Sequence, residues 1–248
     1  MANTRLDKFL ANAGAGTRSE VKTYIKKGRV SVNGQTVTDP NFKFEETGAE
    51  ILFDGTSVAA SGYAYYLLHK PAGCVTAVRD AHAPTVMDYL KEAKGKDLAP
   101  VGRLDKDTEG LLLITNDGTL AHQLLSPRKH VPKTYEARIS GIVTAKEQVS
   151  FAAGLDIGDE KPALPAVLKI LETNEETGES LIRVTVEEGR FHQVKRMFHA
   201  VGMEVVYLKR LSMGPLILPK DLKKGAFRPL TKEELFALRN LQKGVDES

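Results

Sequence analysis

Apolar positions recur at helical spacing near the start of the chain, where Leu6, Phe9, Leu10 and Ala13 share one face. A second helix is predicted over 19–27, with Val21, Tyr24 and Ile25 inward and Thr17 or Ser19 as its cap. Gly28 ends it. The alternation from Arg29 to Val37 then predicts a hairpin through Asn33-Gly34, and a strand over 50–53 leads into the turn Asp54-Gly55. The small polar run 56–62 reads as a linker. Beyond it, strand patterns recur at 63–68, 111–115, 133–139, 166–171, 181–186 and 205–211. Helical patterns fall at 86–91, 119–125, 145–153, 193–201 and 232–240. The mixture predicts an α+β protein with a small domain over 1–60 and a larger one over 63–243. The larger domain is expected to build a mixed, mostly antiparallel sheet flanked by helices.

Composition narrows the class. Of 248 residues, 42% are hydrophobic and 27% charged, an ordinary balance for a soluble globular chain. No apolar run is long enough for a membrane span. The first residues, Met1 to Asp7, lack an apolar signal core. One cysteine, Cys74, leaves no intrachain disulfide or multi-Cys metal site and fits a reducing cytoplasm. The net charge of +3 is small, but its distribution is uneven. Residues 1–44 hold eight basic residues (Arg5, Lys8, Arg18, Lys22, Lys26, Lys27, Arg29, Lys43) against three acidic ones, a surplus of five. Arg18, Lys22 and Lys26 follow at i, i+4 spacing on one helix face, and Lys27-Gly28-Arg29 adds a basic corner. Such a face suits a phosphate backbone. A solvated helix surface is the plainer reading of any charge run.

Three segments of the larger domain hold polar residues where a core would not want them. The first, Gly102 to Gly118, sets Asp105 between Arg103 and Lys106, just ahead of an apolar strand. The second, Ser126 to Glu136, is a basic loop running into a strand. The third, Glu187 to Phe198, is a Gly turn followed by a basic helix start. A carboxylate in the first segment suits a nucleophile or a base. Partial burial works against its charged form, and a nearby cation restores it. From the residues alone, a turn-capping Asp is the default reading of Asp105, and Asp107 competes with it. There is no Walker loop, no dinucleotide Gly fingerprint and no His/Cys cluster at zinc spacing.

These segments carry a family resemblance. Arg5-Leu6-Asp7-Lys8-Phe9-Leu10 through Gly28-Arg29-Val30-Ser31-Val32-Asn33-Gly34 resembles an S4 RNA-binding domain. The three later segments, with Leu68-His69-Lys70-Pro71-Ala72-Gly73, resemble the signature motifs of the RsuA-like RNA pseudouridine synthases. The resemblance implies isomerisation of uridine in RNA without cofactor or metal. It makes Asp105 the catalytic carboxylate, as nucleophile or base, and Lys195 its charge partner. Tyr135 becomes the aromatic that stacks on the target base, with Asp107 a surface turn residue. Phe191 to Phe198 are worded more like the small-subunit rRNA members, which implies 16S rRNA or a ribosomal subunit precursor as partner. A large-subunit (23S) enzyme of the same family and a non-catalytic S4-type assembly factor are the alternatives. A glycosidase-like enzyme on free nucleosides is disfavoured by the basic N-terminal domain.

Further RNA contacts are expected at Arg128, Lys129, Lys133, Arg190 and Arg196, and Arg103 reads equally as a phosphate contact or a brace for the Asp105 loop. His192 and His199 read as a local hydrogen-bonding residue and a helix-surface residue, and Cys74 as a small buried hydrophobe. The target uridine must leave its stack to react. A monomer is the expected state.

Overall fold

In a computed structural model, residues 3–13, 15–45, 49–58 and 63–241 are described, apart from the side chains of Asn3 and Arg128. The chain packs into two units, Met1–Tyr63 with Lys94–Asp97, and Ala64–Ala93 with Leu98–Ser248.

The first unit runs β1 (Asn3–Arg5), α1 (Leu6–Asn12), α2 (Arg18–Lys26), β2 (Val30–Val32), β3 (Gln35–Thr36), β4 (Lys43–Glu45), β5 (Ile51–Phe53) and β6 (Thr56–Ser57). Helix α2 starts on a capping box, in which Thr17 accepts from the Glu20 amide and Glu20 reaches back to the Thr17 amide. Asn33 and Gly34 both take positive φ (51° and 78°), the geometry a tight two-residue hairpin needs. Leu6, Leu10, Val21, Ile25, Val30 and Ile51 close the core. One expectation shifts here. Thr56–Ser57 pairs with β5, so the first residues of the expected linker are strand, and residues 59–62 lie outside the described set.

The second unit is built on one large sheet. Its elements are β7 (Tyr65–Lys70), β8 (Ala99–Pro100), β9 (Glu109–Thr115), α3 (Gly118–Leu125), β10 (Lys133–Ser140), α4 (Ala145–Ala153), β11 (Val167–Asn174), β12 (Glu179–Val186), α5 (Gln193–Ala200), β13 (Glu204–Met213), β14 (Leu216–Ile217), β15 (Phe227–Pro229) and α6 (Lys232–Asn240). The main strand order is β11-β12-β10-β13-β9-β7-β15, with β14 on β13 and β8 on β9. The β13–β9 pair is parallel and the other pairings of this sheet are antiparallel, giving the mixed, mostly antiparallel α+β architecture. Strands β7 and β9 are buried along their whole length, which explains their unbroken apolar runs. Helices α4 and α5 meet the same core through Phe151 and Phe198, whose rings lie 4.8 Å apart.

Gly110 is required where β9 meets β13. A Cβ there would stand 2.2 Å from the Arg210 carbonyl oxygen, at a φ of +111°. That close approach brings the loop before β9 against β13.

The helix expected over 86–91 is a single 3-10 turn, Val86–Tyr89. Asp88 caps back onto the Thr85 amide, and Val86 donates to the Val75 carbonyl, so tertiary ties hold the segment in place of further helical turns.

Candidate active site

The loop that carries Asp105 hangs from a buried lysine. Lys70, at the end of β7, is fully buried. Its ammonium donates to the carbonyls of Thr108 (2.8 Å), Asp105 (3.0 Å), Pro71 (3.1 Å) and Lys106 (3.4 Å). Burial pushes this ammonium down from its ordinary value, and the charges of Cys74, Asp107, Asp105 and Glu109 oppose the shift. Thr76 adds a second clamp, donating to the Leu104 carbonyl at 2.7 Å and accepting from its amide at 3.1 Å. The backbone of the loop is therefore fixed from below, leaving the Asp105 carboxylate at the wall of a cavity.

That cavity holds about 110 Å³. Asp105, Lys133, Tyr135, Val194, Leu208 and Arg210 are among its lining residues. Tyr135 on β10 is 9% exposed and directly opposite Arg210 of β13 in the sheet register. A flat aromatic, a carboxylate and a small apolar lining together suit a planar heterocycle.

The Asp105 side chain is a quarter exposed and flanked by two bases. Lys195 Nζ lies 3.4 Å from its Oδ2, and His192 Nε2 lies 3.4 Å from its Oδ1. Lys195 is bound more tightly to Asp107, at 2.7 and 2.8 Å. The expectation of Lys195 beside Asp105 thus meets a bridged arrangement in which Asp107, 71% exposed, takes the stronger hydrogen bonds. Burial alone would lower the Lys195 ammonium. The Asp107 hydrogen bond and the charges of both aspartates outweigh it and hold the group above its ordinary value.

The turn into α5 is equally well held. Gln193 is buried, accepts from the Arg190 amide at 3.0 Å and donates to Glu188 at 2.8 Å. His192 caps the helix in the left-handed region, at φ 50°, with the exposed Phe191 ring stacked on it at 3.7 Å. A non-glycine residue in that conformation persists only when its surroundings hold it there.

Several expected RNA contacts are differently placed. Arg190 gives its donors to Glu188, Asp159 and the carbonyls of Lys161 and Pro162. Arg196 binds Asp159 and the carbonyls of Ile157 and Phe191. Both guanidiniums tie the 157–162 segment to the turn before α5, because their forks match carboxylate and carbonyl partners at once. Lys133, expected on a phosphate track, is buried in the cavity wall and donates to the Val131 carbonyl at 2.8 Å. Arg103 is exposed at the cavity wall. Lys129 is half-buried, and the Arg128 side chain lies outside the described residues.

In the first unit, Arg18, Lys22, Lys26 and Lys27 stand exposed, and Lys8 is half-buried. Arg5 grips the fully buried Asp7 at 3.0 and 2.8 Å. Arg29 pairs with Asp54 at 2.8 Å and lies over the Tyr24 and Phe53 rings at 4.5 and 4.8 Å. Both arginines therefore brace the unit.

The sequence reading did not single out Lys70, Glu188, Gln193 or Arg210 as site residues, and it gave His192 no part in the site. Lys70, Glu188, His192 and Gln193 lie inside quoted motifs, so the motif was visible and the individual roles were not. Arg210 left only a faint signal, one of two adjacent cations, with Lys209, in a largely apolar strand. Among the described residues, no group of three or more His, Cys, Asp or Glu could hold a metal ion, and no helix is long and apolar enough to cross a membrane.

Comparisons with known proteins bear on the family of the chain. The RNA pseudouridylate synthase family matches residues 64–200, and the S4 domain family matches residues 4–51. An uncharacterized RNA pseudouridine synthase of Bacillus subtilis, YtzG, is 44% identical over 96% of this chain and 99% of its own length. Ribosomal small subunit pseudouridine synthase A of Escherichia coli is 40% identical over 93% of this chain and 98% of its own. A crystal structure of a pseudouridylate synthase superposes with a TM-score of 0.67 at 35% identity, covering 94% of this chain and 99% of the other. An RNA pseudouridylate synthase match over more than half the chain, preceded by an S4 domain and joined to full-length relatives of the same kind, shows that this chain belongs to the RNA pseudouridine synthase family.

Proposed function

We propose that this enzyme converts a specific uridine of small-subunit (16S) ribosomal RNA to pseudouridine. The observation that carries the reading is the placement of Asp105, 3.4 Å from both Lys195 and His192, on the wall of a cavity that Tyr135 also lines. The choice of 16S RNA rests on the small-subunit relative, 40% identical over nearly the whole chain.

In this reading Tyr135 stacks on the flipped base and Lys195 pairs with the Asp105 carboxylate. Asp105 either attacks C1′ or removes a ribose proton, and the C1′–N1 bond breaks with its electron pair moving to uracil. The base turns and C5 bonds to C1′ as the Asp105–C1′ bond breaks or, on the base route, as Asp105 returns its proton to the ribose. The C5 proton then goes to water and N1 takes up a proton. Atoms and charge balance without an oxidant or an energy donor. Residues 1–60 supply backbone affinity through Arg18, Lys22, Lys26 and Lys27, and residues 63–243 carry the chemistry. The protein acts as a cytoplasmic monomer on rRNA or a subunit precursor.

The test is tritium release from 16S and 23S transcripts labelled at uracil C5, with Asp105→Asn in parallel. Release from 16S alone, lost in the variant, is the expected result. Release from 23S alone overturns the substrate assignment. If neither transcript nor assembled subunit precursors release tritium, the protein is a binding factor.

A further inference from the structure

Two cations lie buried in the cavity wall with no salt bridge among the described residues. Lys133 is 8% exposed and Arg210 is 2% exposed. Lys133 donates to the Val131 carbonyl and Arg210 Nε donates to the Leu111 carbonyl at 2.8 Å. Among the described residues, Arg210 Nη2 is buried with no hydrogen-bond partner. Glu188, the acid whose charge acts on Lys133, is already engaged by the Leu164 amide, Gln193 and Arg190. A buried, uncompensated charge is costly, and two adjacent like charges more so. Folded proteins keep such groups where a ligand completes them.

Their position says which ligand. Lys133 and Tyr135 are two residues apart on β10 and so share one face of the sheet, and Arg210 is directly opposite Tyr135. Both cations therefore flank the ring that receives the base. A phosphodiester must stay continuous with the RNA strand and run across the cavity mouth. The part of a flipped nucleotide that enters deeply is its base. Under either role for Asp105, that base departs with the electron pair of the C1′–N1 bond, as an anion whose charge spreads over the ring and its carbonyl oxygens.

We propose that Lys133 and Arg210 form a seat for the uracil anion, holding it through bond cleavage and rotation. The seat rests on the uridine-isomerising reading above. It adds an electrostatic contribution at the leaving base to that of Asp105 at the sugar, with both cations in the wall that the base faces. Preorganised buried charges act strongly because no solvent has to reorganise around them. Burial pushes the Lys133 ammonium down to about 8, with Arg210 adding to the shift and Glu188 opposing it. Raising the pH through that value removes the Lys133 charge from the free enzyme and weakens the seat. Arg210 and Glu188 face Lys133, while Arg103, Asp105, His192 and Lys195 line the rest of the cavity, so an arginine swap is needed to isolate its titration.

Two measurements on the full chain test this. In calorimetric titrations, barbiturate, a pyrimidine anion shaped like uracil, should bind at least about tenfold more tightly than neutral uracil, and Lys133→Met should lose that preference. In single-turnover tritium release, Lys133→Met should be slowed on the order of 10²-fold, with RNA affinity little changed. Lys133→Arg should recover most of that loss and keep its rate as the pH rises through 8, where the wild type slows. Equal binding of barbiturate and uracil by the wild type overturns the seat, as does a Lys133→Met rate within about threefold of wild type. Should Lys133→Met fail to fold, the wild-type preference and the Lys133→Arg pH profile decide. A wild type that releases no tritium but prefers barbiturate defeats the proposed reaction and leaves the anion seat standing.

Discussion

Helix α2 and the turn into α5 are two basic regions of this chain, and they use their cations in opposite ways. On α2, Arg18, Lys22 and Lys26 stand exposed at i, i+4 spacing. Around α5, Arg190 and Arg196 are tied to Asp159 and to carbonyls, and Lys195 bridges Asp107 and Asp105. Exposed ammonium groups cost little to hold apart in water, and their field reaches about 10 Å at 0.1 M salt. They suit a phosphate backbone that arrives in many registers. Tied cations have fixed donors, so they position one carboxylate and one helix. The same residue types therefore give affinity in one region and precision in the other.

Asp105→Asn should have the largest effect. The amide keeps the shape but is neither nucleophile nor base, so tritium release should fall to background while filter binding of RNA stays within about twofold. Appreciable residual turnover would mean the carboxylate has been misassigned. Lys195→Met comes next, with kcat lowered about 10²–10³-fold at nearly unchanged RNA affinity. A rise in KM alone would move Lys195 into the phosphate-contact class and blur the contrast with α2. Its companion, Asp107→Asn, leaves Lys195 facing Asp105 and should stay within about threefold of wild type.

The exposed cations should behave otherwise. Replacing Arg18, Lys22 and Lys26 by Ala should weaken binding of structured rRNA on the order of tenfold near 0.1 M salt and flatten the log–log salt slope by about 2. The single-turnover rate at saturating RNA should not move, and an unaltered salt slope would remove α2 from the interface. Arg190→Ala should have the smallest effect, about 1 kcal/mol lost in denaturant unfolding. If it leaves stability intact and weakens RNA binding, Arg190 is an RNA contact after all.

The comparison also shows what was legible in the chain. The two helices, the β2–β3 hairpin and β5 of the first unit were readable because local rules and packing agree there, whereas β1, β4 and β6 were not. The Thr17/Glu20 capping box, Gly28 and Asn33-Gly34 each act within a few residues. Strands β7 and β9 were readable from their apolar runs. The helix expected over 86–91 failed because Val75 and Asp88 tie the segment into a single turn, a competition that periodicity does not register. At the site, motif order pointed to Asp105, Tyr135 and Lys195. It could not separate the roles of neighbouring cations, since Lys133, Arg190 and Arg196 look like any basic residues beside a loop. Their burial and partners come from strands and segments far away in the chain.

By itself the sequence determined the fold class, the family and the uneven placement of charge, and its motifs pointed to Asp105 as the candidate carboxylate, because these depend on residue types at short spacings. Only the tertiary structure decided that Lys70 suspends the Asp105 loop, that Asp107 shares Lys195, and that Lys133 and Arg210 lie buried together beside Tyr135. The reason is physical. Desolvation and hydrogen-bond partnership depend on what surrounds a charge in space, and here those neighbours are brought together by the β7–β9, β9–β13 and β10–β13 pairings between residues distant in the chain.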